Sequence, residues 1–192
     1  MRIIHVVETL DVGGAEVLVT ELCRRQRAAG HEASVCCLRK GGRLAGELLR
    51  DGCSVHVLPP GGRWRMLWEL RRHFRAGRFD VVHGHNLKAA ILSAPAARLA
   101  GVPAVVATRH SLVAPPYVVR WEAQFSLAMR LFDGCVAAVC EATRRNLAAA
   151  PLADPRRIVV VYNGAASARP ADRIFPHSLN DAGRVRDNQA HR

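Results

Sequence analysis

The chain has 192 residues, 49% of them hydrophobic and 23% charged, so it can bury the core of one globular domain and is too apolar to be disordered throughout. Its formal net charge of +12 indicates anionic partners such as nucleic acid, phosphorylated substrates or an acidic membrane surface, although a general excess of arginine explains the charge equally well. The six cysteines include no C-x-x-C pair, and neither a secretory signal nor a bilayer-spanning apolar run is visible, so we expect reduced thiols and a cytoplasmic protein.

Short apolar runs alternate with helical stretches along the chain. Strands are predicted at residues 3–7, 33–38, 54–58, 80–83, 104–108, 134–138 and 158–161, and helices at 14–29, 43–51, 63–76, 87–100, 118–131 and 141–149. Several strands are apolar and β-branched throughout, which is typical of parallel strands covered on both faces. The pattern predicts an α/β fold with a single doubly wound, mostly parallel, Rossmann-like sheet.

The last part of the chain has a different character. Residues 165–192 contain few apolar side chains, scattered charge and no periodicity. This composition predicts a basic, disordered tail after one domain of residues 1–164.

Polar and glycine-rich segments follow four of the predicted strands. They are Gly13-Gly14-Ala15-Glu16, His83-Gly84-His85-Asn86, Thr108-Arg109-His110-Ser111 and Tyr162-Asn163-Gly164. Ligands of open parallel sheets bind outside the carboxyl ends of the strands, so the segments predict a ligand cleft at that edge. The glycine pair could adopt positive φ angles and let the backbone approach a ligand closely.

Dinucleotide binding is one possible use of this cleft. The first turn lacks the third glycine of G-x-G-x-x-G, and no acidic residue closes the second strand. Arg39 and Lys40 could instead contact a 2′-phosphate, so an NADP-binding oxidoreductase stays open, as does a non-catalytic binding or assembly module. No Walker sequence and no G-x-S-x-G nucleophile elbow occurs.

Metal and nucleic-acid sites have less support. His83 and His85 would share one face of a strand, but no Cys or carboxylate at suitable spacing lies nearby, although Asp80 is close in the sequence, so we expect no metal. Aromatic residues make up only 5% of the chain and no recognised binding module appears, which argues against specific nucleic-acid binding.

The stretch from residue 63 to 78 is a basic amphipathic helix. Trp64, Leu67, Trp68 and Phe74 could share one face, with arginines around it. The favoured interpretation is a crossover helix whose apolar stripe packs on the sheet. The alternative is a helix that lies on an anionic membrane.

Taken in order, the opening strand with GGAE and the segments FDVVHGHN, VVATRHS and IVVVYNG resemble the N-terminal domain of the family 4 retaining glycosyltransferases of GT-B fold. The resemblance runs from residue 1 to about residue 164. It implies a domain that binds a sugar acceptor and faces a second Rossmann-like domain, which binds a nucleotide-sugar as co-substrate. No cofactor or metal is implied.

The resemblance also assigns roles to residues. Carried over by position, His110 would sit near the transferred sugar as the catalytic residue. Substrate-binding positions would be Gly13, Gly14, Glu16, His85, Asn86, Arg109 and Asn163.

The sequence departs from the family pattern after residue 164, where the expected donor-binding domain with its E-x7-E motif is absent. We therefore expect the chain alone to be inactive or nearly so as a hexosyltransferase, either truncated or completed by a separate donor-binding subunit, with a homodimer as a further option. The basic surface would suit a lipid-linked or phosphorylated acceptor and peripheral contact with the inner face of an anionic membrane.

Overall fold

The computed structural model describes residues 1–111 and 118–164. The predicted tail at 165–192 lies outside the described residues, so its disorder stays a prediction.

Strands and helices alternate along the described chain. The strands are β1 (Arg2–Thr9), β2 (Glu32–Lys40), β3 (Ser54–Val57), β4 (Val81–His85), β5 (Ala104–Arg109), β6 (Cys135–Ala138) and β7 (Ile158–Val160). The helices are α1 (Gly14–Ala28), α2 (Gly42–Arg50), α3 (Arg63–Gly77), α4 (Asn86–Ala100), α5 (Val118–Leu131) and α6 (Glu141–Ala148). The predicted order of elements is confirmed, with boundaries that differ by at most two residues.

The seven strands form one parallel sheet in the order β3-β2-β1-β4-β5-β6-β7. The chain moves outward from β1 to β3 and then returns to β4 beside β1, so the topological switch point lies between β1 and β4. This order confirms the predicted Rossmann-like architecture. It also predicts that a ligand binds at the carboxyl ends of β1 and β4.

Alternate residues of β1 supply two separate cores. Ile4 and Val6 pack with Leu70 and Phe74 of α3 and with the buried face of α4. Val7 instead packs with α1 and α2 on the opposite face of the sheet. Because side chains alternate along a strand, His5 points to the same face as Val7, beneath α1.

Helix α3 differs from the favoured sequence interpretation. Leu70 and Phe74 are buried against the sheet, but Trp64 is 79% exposed and Trp68 is 59% exposed. The prediction that both tryptophans belong to the packed stripe is therefore wrong. They lie in the first two turns of α3 and face away from the core, whereas Met66 and Leu67 between them pack against it.

Strand β4 extends two residues further than predicted, so His83, Gly84 and His85 lie within the strand. Gly84 is buried, and a Cβ at this position would come within 2.8 Å of Ala90 Cα and of Ser93 Oγ. The missing side chain therefore allows α4 to pack closely on β4.

Replacing Gly84 with Ala is expected to destabilise the domain by about 1–3 kcal/mol, because the added methyl group overpacks a contact with the α4 backbone. Gly46→Ala is the matched control, since Gly46 is exposed on α2 and has no atom within 4 Å of an added Cβ. That control should be neutral or stabilising by up to about 1 kcal/mol. Urea unfolding of both variants checks the difference, and equal stabilities would contradict the packing argument.

None of the described helices is both long and apolar enough to cross a membrane.

Candidate functional site

The candidate site lies at the carboxyl ends of β1, β4 and β5, which are neighbours in the sheet. Pairing places His5 of β1 beside His83 of β4, and His85 beside Thr108 of β5. His110 follows β5 directly. Three strands that are far apart in sequence thus bring four histidines together near the switch point.

Hydrogen bonds join three of these histidines into a chain that begins at α1. Gln26 Oε1 lies 2.8 Å from His5 Nε2, and His5 Nδ1 lies 3.0 Å from His85 Nε2. His85 Nδ1 in turn lies 3.0 Å from His110 Nε2. We call Gln26, His5, His85 and His110 the imidazole chain. It runs from beneath α1 to the carboxyl edge of the sheet.

The imidazoles of this chain are neutral near pH 7. Burial lowers the pKa of His5 from 6.5 to about 4, against the opposing effect of its hydrogen bond to Gln26. Burial also holds the pKa of His85 well below its usual value, and neighbouring histidines add to the effect. The pKa of His110 is lowered by burial and by the adjacent Arg109 charge. Each ring therefore carries one N–H and one bare nitrogen.

His83 packs beside the chain without joining it. Its Nε2 lies 2.7 Å from Thr108 Oγ1, and its ring centroid lies 4.2 Å from that of His85. Burial is the main reason that its pKa is also well below normal.

A metal ion is sterically possible here. Ring nitrogens of His5, His83 and His85 lie within 4.8 Å of one another. The third imidazole was not anticipated from the sequence, because it comes from the middle of β1. Both ring nitrogens of His5 and both of His85 already form hydrogen bonds, so a metal would have to displace some of them. The expectation that the domain uses no metal stays a prediction.

Arg109 lies inside the domain. Its Nη2 donates to Glu122 Oε1 of α5 at 2.7 Å and to the backbone oxygen of Ser111 at 3.2 Å, and both charged side chains are 2% exposed. Its guanidinium also lies 5.5 Å from the Phe125 ring centre. Arg109 was predicted to bind substrate, but its side chain is not accessible. Its contacts instead join Glu122 of α5 to Ser111, which follows β5.

Asn86 begins α4 with a φ of 65°, a left-handed conformation that asparagine tolerates better than most residues. Its Oδ1 accepts a hydrogen bond from the His110 backbone N–H at 3.3 Å. The side chain thus connects the end of β4 to the segment after β5, and it remains partly exposed at the edge.

The glycine pair marks the start of α1. Gly13 has a φ of −152°, which any residue adopts, and neither Gly13 nor Gly14 has positive φ. The pair therefore does not use the positive φ angles that glycine permits. A Cβ on Gly13 would lie 2.4 Å from Glu16 Oε2, whereas Gly14 is exposed with no atom within 4 Å of an added Cβ. Gly14 is thus exposed in the first helical turn, and the Glu16 carboxylate lies beside Gly13.

The cations considered for NADP binding form ion pairs around this edge. Lys40 Nζ lies 2.9 Å from Asp11, and Arg39 lies 3.7 Å from Glu8 Oε1. Lys88 of α4 donates to the same Glu8 oxygen at 2.8 Å. Glu8 therefore joins β2 and α4 across the switch point.

Asn163 lies apart from this group. It is exposed beyond β7, the edge strand, three positions from β4 in the sheet. Hydrogen bonds therefore join His85, Asn86 and His110, whereas Gly13, Gly14 and Glu16 lie at the start of α1. Sequence reasoning missed His5, Gln26 and Glu122. A histidine inside the apolar run RIIHVVE was the one signal available for His5.

Comparison of the structure with solved structures gives the class of protein. The Anabaena protein Alr3699/HepE, crystallised in complex with UDP, matches with a TM-score of 0.74 at 18% identity over 86% of this chain and 44% of that chain. The lipopolysaccharide outer core galactosyltransferase WaaB matches at 0.66 and 13% identity, over 92% and 50%. MurG from Acinetobacter baumannii matches at 0.58 and 16% identity, over 90% and 48%. The chain thus spans about half the length of these structures.

The fold and the position of the site define a Rossmann-like domain of the kind that forms one half of a GT-B glycosyltransferase. The sequence model of Glycosyltransferase Family 4 matches residues 12–169, and the chain belongs to that family. This assignment decides against the oxidoreductase alternative. A search of curated proteins finds no match.

Proposed function

We propose that residues 1–164 are the acceptor-side half of a retaining glycosyltransferase, and that a nucleotide-sugar binds across the same edge on a second domain outside these residues. The observation that carries the proposal is the pairing of Asn86 with His110 at the carboxyl ends of β4 and β5, beside the switch point of a family 4 domain. Transfer requires two substrates held in register, and this edge offers one wall for that purpose.

The chemistry of the edge suits a polyhydroxylated ligand. The Asn86 amide can donate and accept hydrogen bonds, and a neutral imidazole keeps one bare nitrogen that can accept. The backbone N–H groups at the start of α1 favour an anionic group, and a phosphate of the donor or of the acceptor would take the place of the Glu16 carboxylate beside Gly13. The edge therefore combines contacts for sugar hydroxyls with contacts for phosphate.

Titration of the ¹⁵N-labelled 192-residue chain with glucose, UDP and UDP-glucose tests this assignment. These probes follow the ligands named for the HepE crystal structures. Amide shifts should concentrate at Gly14, Asn86 and His110. The internal control is the amino-terminal edge of the sheet, around His31. Shifts confined to that edge, or to α3, would contradict the proposal.

A lipid-linked or phosphorylated acceptor would bring the domain to a membrane surface, and α3 has the features for such contact. Besides Trp64 and Trp68, Arg72 is strongly exposed there, and Arg71 stacks on Trp68 with its guanidinium 5.2 Å from the ring centre. Arg63 donates to Gln124 of α5, whose neighbour Trp121 is 42% exposed. Exposed tryptophans beside arginines are typical of helices that lie on anionic bilayers.

Wild-type protein is expected to sediment with vesicles that contain anionic lipid at low salt and to be released at high salt. The double variant Trp64→Ala/Trp68→Ala should lose most of this binding, because both exposed indoles are removed. Leu152→Ala is the control, since Leu152 is 50% exposed in the loop after α6. Failure of wild-type protein to sediment at low salt would refute membrane contact and leave the acceptor site untouched.

A further inference from the structure

A neutral imidazole has only one ring proton, and this property constrains the imidazole chain as a whole. Each contact between two rings needs one N–H donor and one bare nitrogen acceptor. If one nitrogen of a ring carries the proton, its other nitrogen must be bare, and the reverse also holds. The direction of one hydrogen bond therefore fixes the direction of the next one along the chain. The direction at one end of the chain therefore determines the direction at the other.

The Gln26 side chain is the end that sets the direction. With its carbonyl oxygen toward His5, as the structure has it, His5 Nε2 must carry the proton and donate. His5 Nδ1 is then bare and accepts from His85 Nε2–H. His85 Nδ1 is bare in turn and accepts from His110 Nε2–H. The opposite orientation of the amide would reverse all three bonds.

The chain is shielded from water along most of its length. His5 is fully buried and His85 is 4% exposed, so solvent does not compete for these contacts. His110 Nδ1 is itself buried, and within residues 1–111 and 118–164 it has no hydrogen-bond partner. This nitrogen is the terminal atom of the imidazole chain. Whether it carries a proton depends on which way the Gln26 amide is oriented.

We propose that Gln26, His5 and His85 are positioning residues that fix the ring of His110 in the Nε2–H tautomer, with Nδ1 as a bare hydrogen-bond acceptor. In this state Nδ1 can accept a hydrogen bond but cannot donate one. The significance for transfer rests on the proposed function. The tautomer itself is a property of the folded chain and does not depend on that function.

The test replaces Gln26 by side chains of defined hydrogen-bonding character. Gln26 is only partly buried on α1, so both substitutions are tolerable at its surface. Gln26→Glu keeps an acceptor at His5 Nε2 and should leave all three rings as Nε2–H. Gln26→Lys supplies only donors, so each bond should reverse and His110 should become the Nδ1–H tautomer.

The readout is the ¹⁵N spectrum of histidine-labelled protein at pH 7.5, in which protonated and bare ring nitrogens have distinct shifts. The expected result is Nε2–H at His110 in wild type and in Gln26→Glu, and a switch to Nδ1–H in Gln26→Lys. His31 lies before β2 and outside the chain, so its ring signals should be unchanged. An unchanged His110 tautomer in folded Gln26→Lys, or Nδ1–H at His110 in wild type, would overturn the proposal.

A second variant covers the case in which Gln26→Lys does not fold. Gln26→Met removes the hydrogen-bonding group at the α1 end with little change in size. His110 should then show a mixture of both tautomers, because the direction of the chain is no longer set. A single unmixed Nε2–H tautomer in this variant would show that the direction is set elsewhere. Because neither experiment involves sugar or nucleotide, failure of the glycosyltransferase proposal would leave its outcome unaffected.

Discussion

Lowering the pH from 7.5 to 5 is expected to remove about 4 kcal/mol of stability through His5 and His73 alone. Burial lowers the pKa of each from 6.5 to about 4, and the charge of His56 adds to the effect at His73. Between pH 6.5 and pH 4 the unfolded chain binds a proton at each position and the folded chain does not. Stability is therefore complete above pH 6.5 and falls as the pH decreases. By pH 5 the loss is about 2 kcal/mol for each group.

The pKa values of His83 and His85 are also lowered, so these residues make the loss of stability with falling pH steeper. Urea unfolding at pH 7.5, 6 and 5 measures it. The variant His73→Phe keeps an aromatic ring beside His56 but removes the titrating group. About 2 kcal/mol of the stability loss at pH 5 should therefore disappear. A stability that stays constant from pH 7.5 to 5 would show that these imidazoles are not held neutral by burial.

Truncation of Glu122 to alanine is expected to cost about 3–5 kcal/mol, because it leaves the buried Arg109 guanidinium without its carboxylate. The surface pair of Arg2 and Glu32 provides the comparison. These side chains are 45% and 75% exposed, and Glu32→Ala should cost less than about 1 kcal/mol.

The double variant Arg109→Met/Glu122→Leu separates pairing from packing. It removes both charges and keeps apolar volume, so it should be more stable than Glu122→Ala alone. Urea unfolding at pH 7.5 checks all three variants. If Glu122→Ala and Glu32→Ala were equally stable, the buried pair would not be what fixes α5 to the end of β5.

Much of the fold follows from local pattern. Runs such as IVVV and VPAVVAT are apolar and rich in β-branched residues at successive positions, which is typical of parallel strands. The amphipathic stretches between such runs form the crossover helices. The carboxyl edge was predictable as a site because parallel strands all end there. The extent of β4 was less predictable, because glycine is normally unfavourable inside a strand. Here Gly84 lies within β4 because its missing side chain allows α4 to pack closely.

Contacts between distant elements account for what the sequence did not reveal. Gln26 and His85 bond to His5 across 21 and 80 residues, and no local pattern indicates either partner. Arg109 was predicted to lie in the cleft because it belongs to a polar segment at the end of a strand. No local pattern indicates that Glu122 on α5 forms an ion pair with it. The exposure of Trp64 and Trp68 likewise depends on where α3 meets the sheet.

The central claim is that this edge forms one wall of a sugar-transfer site. Its most direct measurement is UDP release from UDP-glucose, with water receiving the glucosyl group, by residues 1–164 fused to a donor-binding domain of a family 4 enzyme that uses this donor. The fusion should release UDP, each half alone should not, and His110→Ala should reduce release by about 100-fold while His31→Ala does not. A fully active His110→Ala fusion, or a donor-binding domain equally active by itself, would contradict the account.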